Sequence, residues 1–207
     1  MEKTISKNFS GLMFIATFAL VITSCRKEQN ASIEGSLSDV NANAITAIST
    51  CAPIPDSLQV PEGNKFVLQT FARGVQIYEV KRSATDPNVF SWVNIAPLAT
   101  LYAKPDFVNP VINHFAGPSW QFIKGPEKGE KVVASKVQGV TPDVTAIQWL
   151  LLKAVDSLST PDNKITFIQR ICTRGGLAPT TGADEAHLGQ LDSIPYTASY
   201  LFYEKEQ

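Results

Sequence analysis

Beyond residue 60 the chain is a succession of short runs in which apolar and polar residues alternate, parted by clusters of Gly, Pro, Asn and Asp. In an extended chain successive side chains point to opposite faces, so a period of two marks a strand with one buried side. Val75 and Ile77 flank Gln76 in this way, which sets Gln76 on the face opposite the two aliphatic residues. The pattern predicts strands over residues 65–71 and 75–80 with a glycine kink between them, turned in by Pro61-Glu62-Gly63-Asn64. After the turn Ala84-Thr85-Asp86-Pro87-Asn88 comes a short strand over 89–93, and 96–103 reads as a strand or a helical turn. Residues 111–115 and 119–122 form the arms of a bend at Gly117-Pro118. Glycine there tolerates positive φ, and proline cannot donate to a strand ladder. Further strands are predicted over 131–137, 164–173 and 199–203.

One segment resists periodicity. Over 146–158, Ile147, Leu151, Ala154, Val155 and Leu158 make a helical stripe, whereas Trp149-Leu150-Leu151-Leu152 suits a strand buried on both faces. The strand is preferred because every neighbour is β. Pro105, Pro110, Pro118 and Pro126 forbid a long helix in the middle of the chain. The fold class expected is all-β, an antiparallel sandwich or barrel of short strands.

The first residues follow a different pattern. Lys3 and Lys7 precede an apolar run over 12–22, and Thr23 and Ser24 precede Cys25. This is the form of a secretory signal, and Ile22-Thr23-Ser24-Cys25 resembles the box at which bacterial lipoproteins are acylated and cleaved. The expected organisation is a signal peptide over 1–24, acylated Cys25 with a flexible polar tether over 25–50, and a single β-rich domain over 51–207. The expected localisation is export to the cell envelope, with a lipid anchor in a membrane and the periplasmic or outer-membrane face left open.

Composition narrows the function classes. With 207 residues, 44% hydrophobic and 18% charged, the chain can build one ordinary core. Its formal charge is −1, and loss of residues 1–24 would leave 16 basic and 18 acidic groups. No basic stripe is present, so nucleic acid is not expected as a partner. There are two histidines, His114 and His187, and no HxH, HExxH or paired CxxC spacing, so neither a metal nor a cofactor is expected. GxSxG and GxGxxG are absent as well.

The densest chemistry lies in His114-Phe115-Ala116-Gly117-Pro118-Ser119-Trp120, where the bend sets His114 and Trp120 on facing arms. Either Trp120 fills a core while His114 holds a backbone carbonyl, or the two form a pocket wall. Tyr78, Tyr102, Tyr196, Tyr200, Tyr203 and Trp92 add flat faces with polar edges, suited to a glycan or another small amphipathic molecule. Arg170 and Arg174 could pair with an anionic group on it. The candidate ligand-binding set is therefore His114, Trp120, Arg170, Arg174 and Tyr196, and no catalytic residue is assigned. The alternative is an envelope hydrolase with His114 as general base beside a carboxylate such as Asp106 or Asp184; a third reading is a structural envelope protein without a pocket.

Several motifs occur together in one order: Gly74-Val75-Gln76-Ile77-Tyr78, the His114 to Trp120 heptad, Trp149-Leu150-Leu151-Leu152-Lys153-Ala154, Ile168-Gln169-Arg170, Thr173-Arg174-Gly175-Gly176-Leu177-Ala178-Pro179 and Pro195-Tyr196-Thr197-Ala198. In these the chain resembles the exported domain of unknown function 3455 family, over about residues 59–203. The resemblance implies an exported single domain and no particular activity. It also implies cysteines at the positions of Val80 and Ala183, where this chain has none. Cys51 and Cys172 either form a substitute bridge in an oxidising compartment or remain an exposed thiol and a buried one.

Overall fold

The computed structural model describes residues 51–207. The predicted signal peptide over 1–24, Cys25 and the tether up to residue 50 lie outside the described residues. Eight strands follow one another: β1 (Asn64–Arg82), β2 (Phe90–Tyr102), β3 (Pro110–Phe115), β4 (Ser119–Phe122), β5 (Lys131–Val140), β6 (Trp149–Ala154), β7 (Ile165–Gly175) and β8 (Leu191–Lys205). Each pairs antiparallel with the next, and β8 returns to β1, so the sheet closes into an up-and-down barrel. Of the two architectures the pattern allowed, the barrel is formed. The deciding feature is the long β1–β8 seam, which runs from Asn64↔Lys205 to Glu79↔Leu191.

Several predicted elements are longer than the local pattern suggests. The two strands over 65–71 and 75–80 are one strand. At Gly74 an added Cβ would stand 2.3 Å from the Leu98 carbonyl oxygen and 2.4 Å from Ala99 Cα, so only hydrogen fits where β1 coils against β2. The segments over 89–93 and 96–103 are likewise one strand, β2, with a register shift opposite Ile77/Tyr78. Pro97 is tolerated inside β2 because β3 pairs only with Ala99 to Tyr102, leaving that stretch of β2 without a neighbouring strand on one side among the described residues. The ambiguous segment is strand β6 followed by a 3-10 turn, Asp156–Leu158.

The barrel has two apolar layers. At one end the lumen is filled by Leu101, Ile112, Phe122, Ile165 and Phe202, with the Phe122 and Phe202 rings packed edge-on at 5.9 Å. A second layer lies outside the wall, where Leu58 with Ile54 and Val60 covers Trp149, Leu151, Ile171 and Leu201 of β6 to β8. β6 is therefore buried on both faces, which accounts for its unbroken apolar run. Cys51 and Cys172 are bonded to each other across 121 residues of sequence and fasten this covering segment. Buried Gln169 holds it too: its Nε2 donates to the Leu58 carbonyl at 2.6 Å while its Oε1 accepts from the Tyr203 hydroxyl at 2.7 Å.

Candidate functional site

At the end opposite the Phe122–Phe202 plug the lumen stays open as a cavity of about 680 Å³. Its wall is built from side chains of the strand faces that point inward: Gln76 and Tyr78 of β1, Asn94 and Pro97 of β2, His114 of β3, Trp120 of β4, Leu150 and Leu152 of β6, Arg170 of β7 and Tyr200 of β8. Ile95, Val144, Ile147, Gln148 and Leu177 form its rim, and Val144 is 82% exposed.

His114 and Trp120 occupy facing register positions, as the Gly117-Pro118 bend requires. Their rings stack at 4.3 Å with planes 12° apart, and Tyr200 meets both edge-on at 5.4 and 5.7 Å. Both halves of the earlier dichotomy hold at once. His114 is 2% and Trp120 1% exposed, yet both line the cavity. His114 Nδ1 lies 2.8 Å from the Ser119 carbonyl, an acceptor, so Nδ1 carries the proton of the neutral ring. Burial lowers the His114 pKa to about 3 against the weaker upward pull of that carbonyl, with Arg170 adding a downward push. No carboxylate lines the cavity among the described residues. Asp106 instead accepts from the Val108 amide in an exposed loop, and Asp184 accepts from His187 Nδ1 at 2.6 Å on the outside.

Arg170 reaches the cavity between Leu150 and Tyr200, its register partners on β6 and β8. Its Nε and Nη2 donate to the Gln148 carbonyl at 3.1 and 3.0 Å, and among the described residues it makes no ion pair. Lys136 Nζ donates to Gln148 Oε1 at 2.9 Å, so one residue holds two cations. Tyr78 donates to the Gly176 carbonyl at 2.7 Å; burial raises its pKa while Arg170 pulls the other way. Tyr196 packs against the wall without lining the cavity, its hydroxyl 3.4 Å from that of Tyr200. Burial and then Tyr200 push its pKa well above the usual phenol value. Gly176, at φ +79°, must be small here, because a Cβ would come within 2.9 Å of Tyr196 Cβ.

Beside the cavity, Gln76 Nε2 and Trp120 Nε1 are buried donors with no hydrogen-bond partner among the described residues. The Gln76 amide is oriented by Asn94, whose Nδ2 donates to Gln76 Oε1 at 3.0 Å. It lies close enough to Tyr196 to favour that phenol's ionised form, but Nε2 closes no hydrogen bond on it.

Of the five residues singled out in the sequence, His114, Trp120 and Arg170 meet at the cavity, and Tyr196 stands directly behind its wall. Arg174 does not join them. The register shifts between Ile171 and Arg174, so Arg174 pairs with Thr197 and lies at an outer depression of about 420 Å³ with Asp143, Trp149 and the Cys51–Cys172 bridge. The pattern also reversed one strand. Gln76 faces inward with Ala72 and Tyr78 and is buried, while Val75 and Ile77 lie half-buried outside. The signal that identifies the inner face is the shared parity of Ala72, Gly74, Gln76, Tyr78 and Val80, small or aromatic residues suited to a narrow lumen.

Fold and cavity together define a closed eight-stranded antiparallel barrel, plugged at one end and hollow at the other. Within that class, residues 61–204 match the family described as "Protein of unknown function (DUF3455)", and the chain belongs to it. Neither a curated protein nor a solved structure matches the chain.

Proposed function

We propose that this is a non-catalytic binding module of the cell envelope, exported, anchored in a membrane through acylated Cys25, and holding a small molecule or glycan in the barrel mouth. The observation that carries the reading is the character of the cavity. Its volume suits a small ligand, and its wall is mostly rings and aliphatic groups with a few polar side chains among them, Gln76, Asn94 and Arg170.

Thermal-shift screening of the full chain against glycans, lipids and small organic acids tests the binding role. A hit that raises the melting temperature should lose its effect in Trp120→Ala and weaken in His114→Ala. Normal binding by both variants would move the site elsewhere. The anchoring is tested separately by metabolic labelling with a fatty-acid probe. Label should be incorporated into the chain and lost in Cys25→Ser, and label that survives this change rules out the anchor at Cys25.

A further inference from the structure

We infer that the cavity takes a monocarboxylate, an organic acid whose charged end meets Arg170 and whose apolar or aromatic body lies against the stacked His114 and Trp120 rings. The inference rests on the binding role proposed above and narrows its ligand.

Charge comes first. Among the described residues Arg170 is the only one lining the cavity with a formal charge at neutral pH, and it has no carboxylate partner there. A partly buried guanidinium without a counter-ion is costly, and an anion entering the cavity removes that cost. One lining cation balances one negative charge. A phosphate dianion would leave its second charge against Leu150, Leu152 and the aromatic rings. Lys136 is outside the lining and is tied to Gln148 Oε1.

Geometry points the same way. The Gln148 carbonyl takes Nε and one Nη2 hydrogen, which fixes the plane of the guanidinium, and Nη1 makes no hydrogen bond among the described residues. A preset planar fork with free N–H groups matches the two oxygens of a carboxylate.

The test uses three water-soluble probes with the same body: 4-phenylbutyrate, 4-phenylbutan-1-ol and 4-phenylbutyl phosphate, titrated calorimetrically into the full chain. The acid should bind at least about tenfold more tightly than the alcohol, and Arg170→Gln should bring the acid down to the alcohol's level while leaving the alcohol unchanged. Should Arg170→Gln fail to fold, Arg170→Lys serves instead. It keeps a charge without the planar fork, and the preference for the acid should fall by several-fold without vanishing. Equal binding of acid and alcohol, or indifference to Arg170, overturns the carboxylate and leaves the binding role standing. Tighter binding of the phosphate ester overturns it in favour of a dianion. If no probe binds at millimolar concentration, the carboxylate is overturned, and the binding role then stands or falls on the thermal-shift screen alone.

Discussion

His114 is held neutral by its surroundings, and this has a consequence for acid stability. Its folded pKa is near 3 against the ordinary 6.5, so between these values the unfolded chain takes up a proton that the folded chain refuses. Stability is therefore lost as pH falls from about 6.5 toward 3, at roughly 1.4 kcal/mol per unit. Urea unfolding should show a loss of about 2–3 kcal/mol from this group between pH 6.5 and 4.5. The loss should be smaller by that amount in His114→Gln. Asp143 and Asp184, whose pKa values are lowered by bonds from Thr145 and His187, are present in both proteins, so the comparison isolates the imidazole. An identical pH slope in the variant would mean that His114 titrates normally. Trp120 makes a second prediction. Trp120→Phe keeps a ring on His114 and removes a buried N–H that has no acceptor among the described residues, so its cost should stay at about 1 kcal/mol, whereas Trp120→Ala should cost about 3–5 kcal/mol. A large loss in Trp120→Phe would show that the indole nitrogen has a partner. The facing of these two residues was legible because a three-residue bend, Ala116-Gly117-Pro118, dictates its own register. The place of Arg174 was not, because Cys172, at φ 52°, sits within the register shift of β7, and no local pattern announces such a shift.

The element that the sequence disguised most is the covering segment. Residues 51–60 read as a proline-rich approach to the first strand, yet Leu58 is fully buried and forms the centre of the outer apolar layer. Nothing in its own pattern says what it covers. The information lies in β6, where Trp149 and Leu151 need a cover as much as Leu150 and Leu152 need a lumen. Helix and strand readings of that stretch were both open for the same reason, since burial on two faces erases the period of two. Replacing Cys51 and Cys172 with serine should lower stability by about 2–4 kcal/mol, measured by denaturant titration. Leu58→Ala, with the bridge intact, should cost about 2–5 kcal/mol. If the serine variant is as stable as the parent, the segment is held by packing alone.

At the scale of the molecule, sandwich and barrel share the same alternating strands, and the difference is a pairing between the first strand and the last. That pairing joins residues more than a hundred positions apart, so no window of sequence contains it. Closure leaves an interruption: among the described residues, the part of β2 before Ala99 has β1 on one side and no strand on the other. Amide hydrogen exchange should therefore be slow along the β1–β8 seam and fast at alternate amides of residues 90–98. Uniform protection of β2 would mean that something pairs with that stretch.

Cys172 lies three residues before Gly175, whose carbonyl receives the amide of Ile147 at the rim of the cavity. Cys51, bonded to it, is thus pinned on the hollow half of the barrel, while Asn64 begins β1 at the plugged half. The covering segment of residues 51–60 therefore starts beside the doorway and hands over to β1 at the base, a stay laid along the outside of the barrel from mouth to foot.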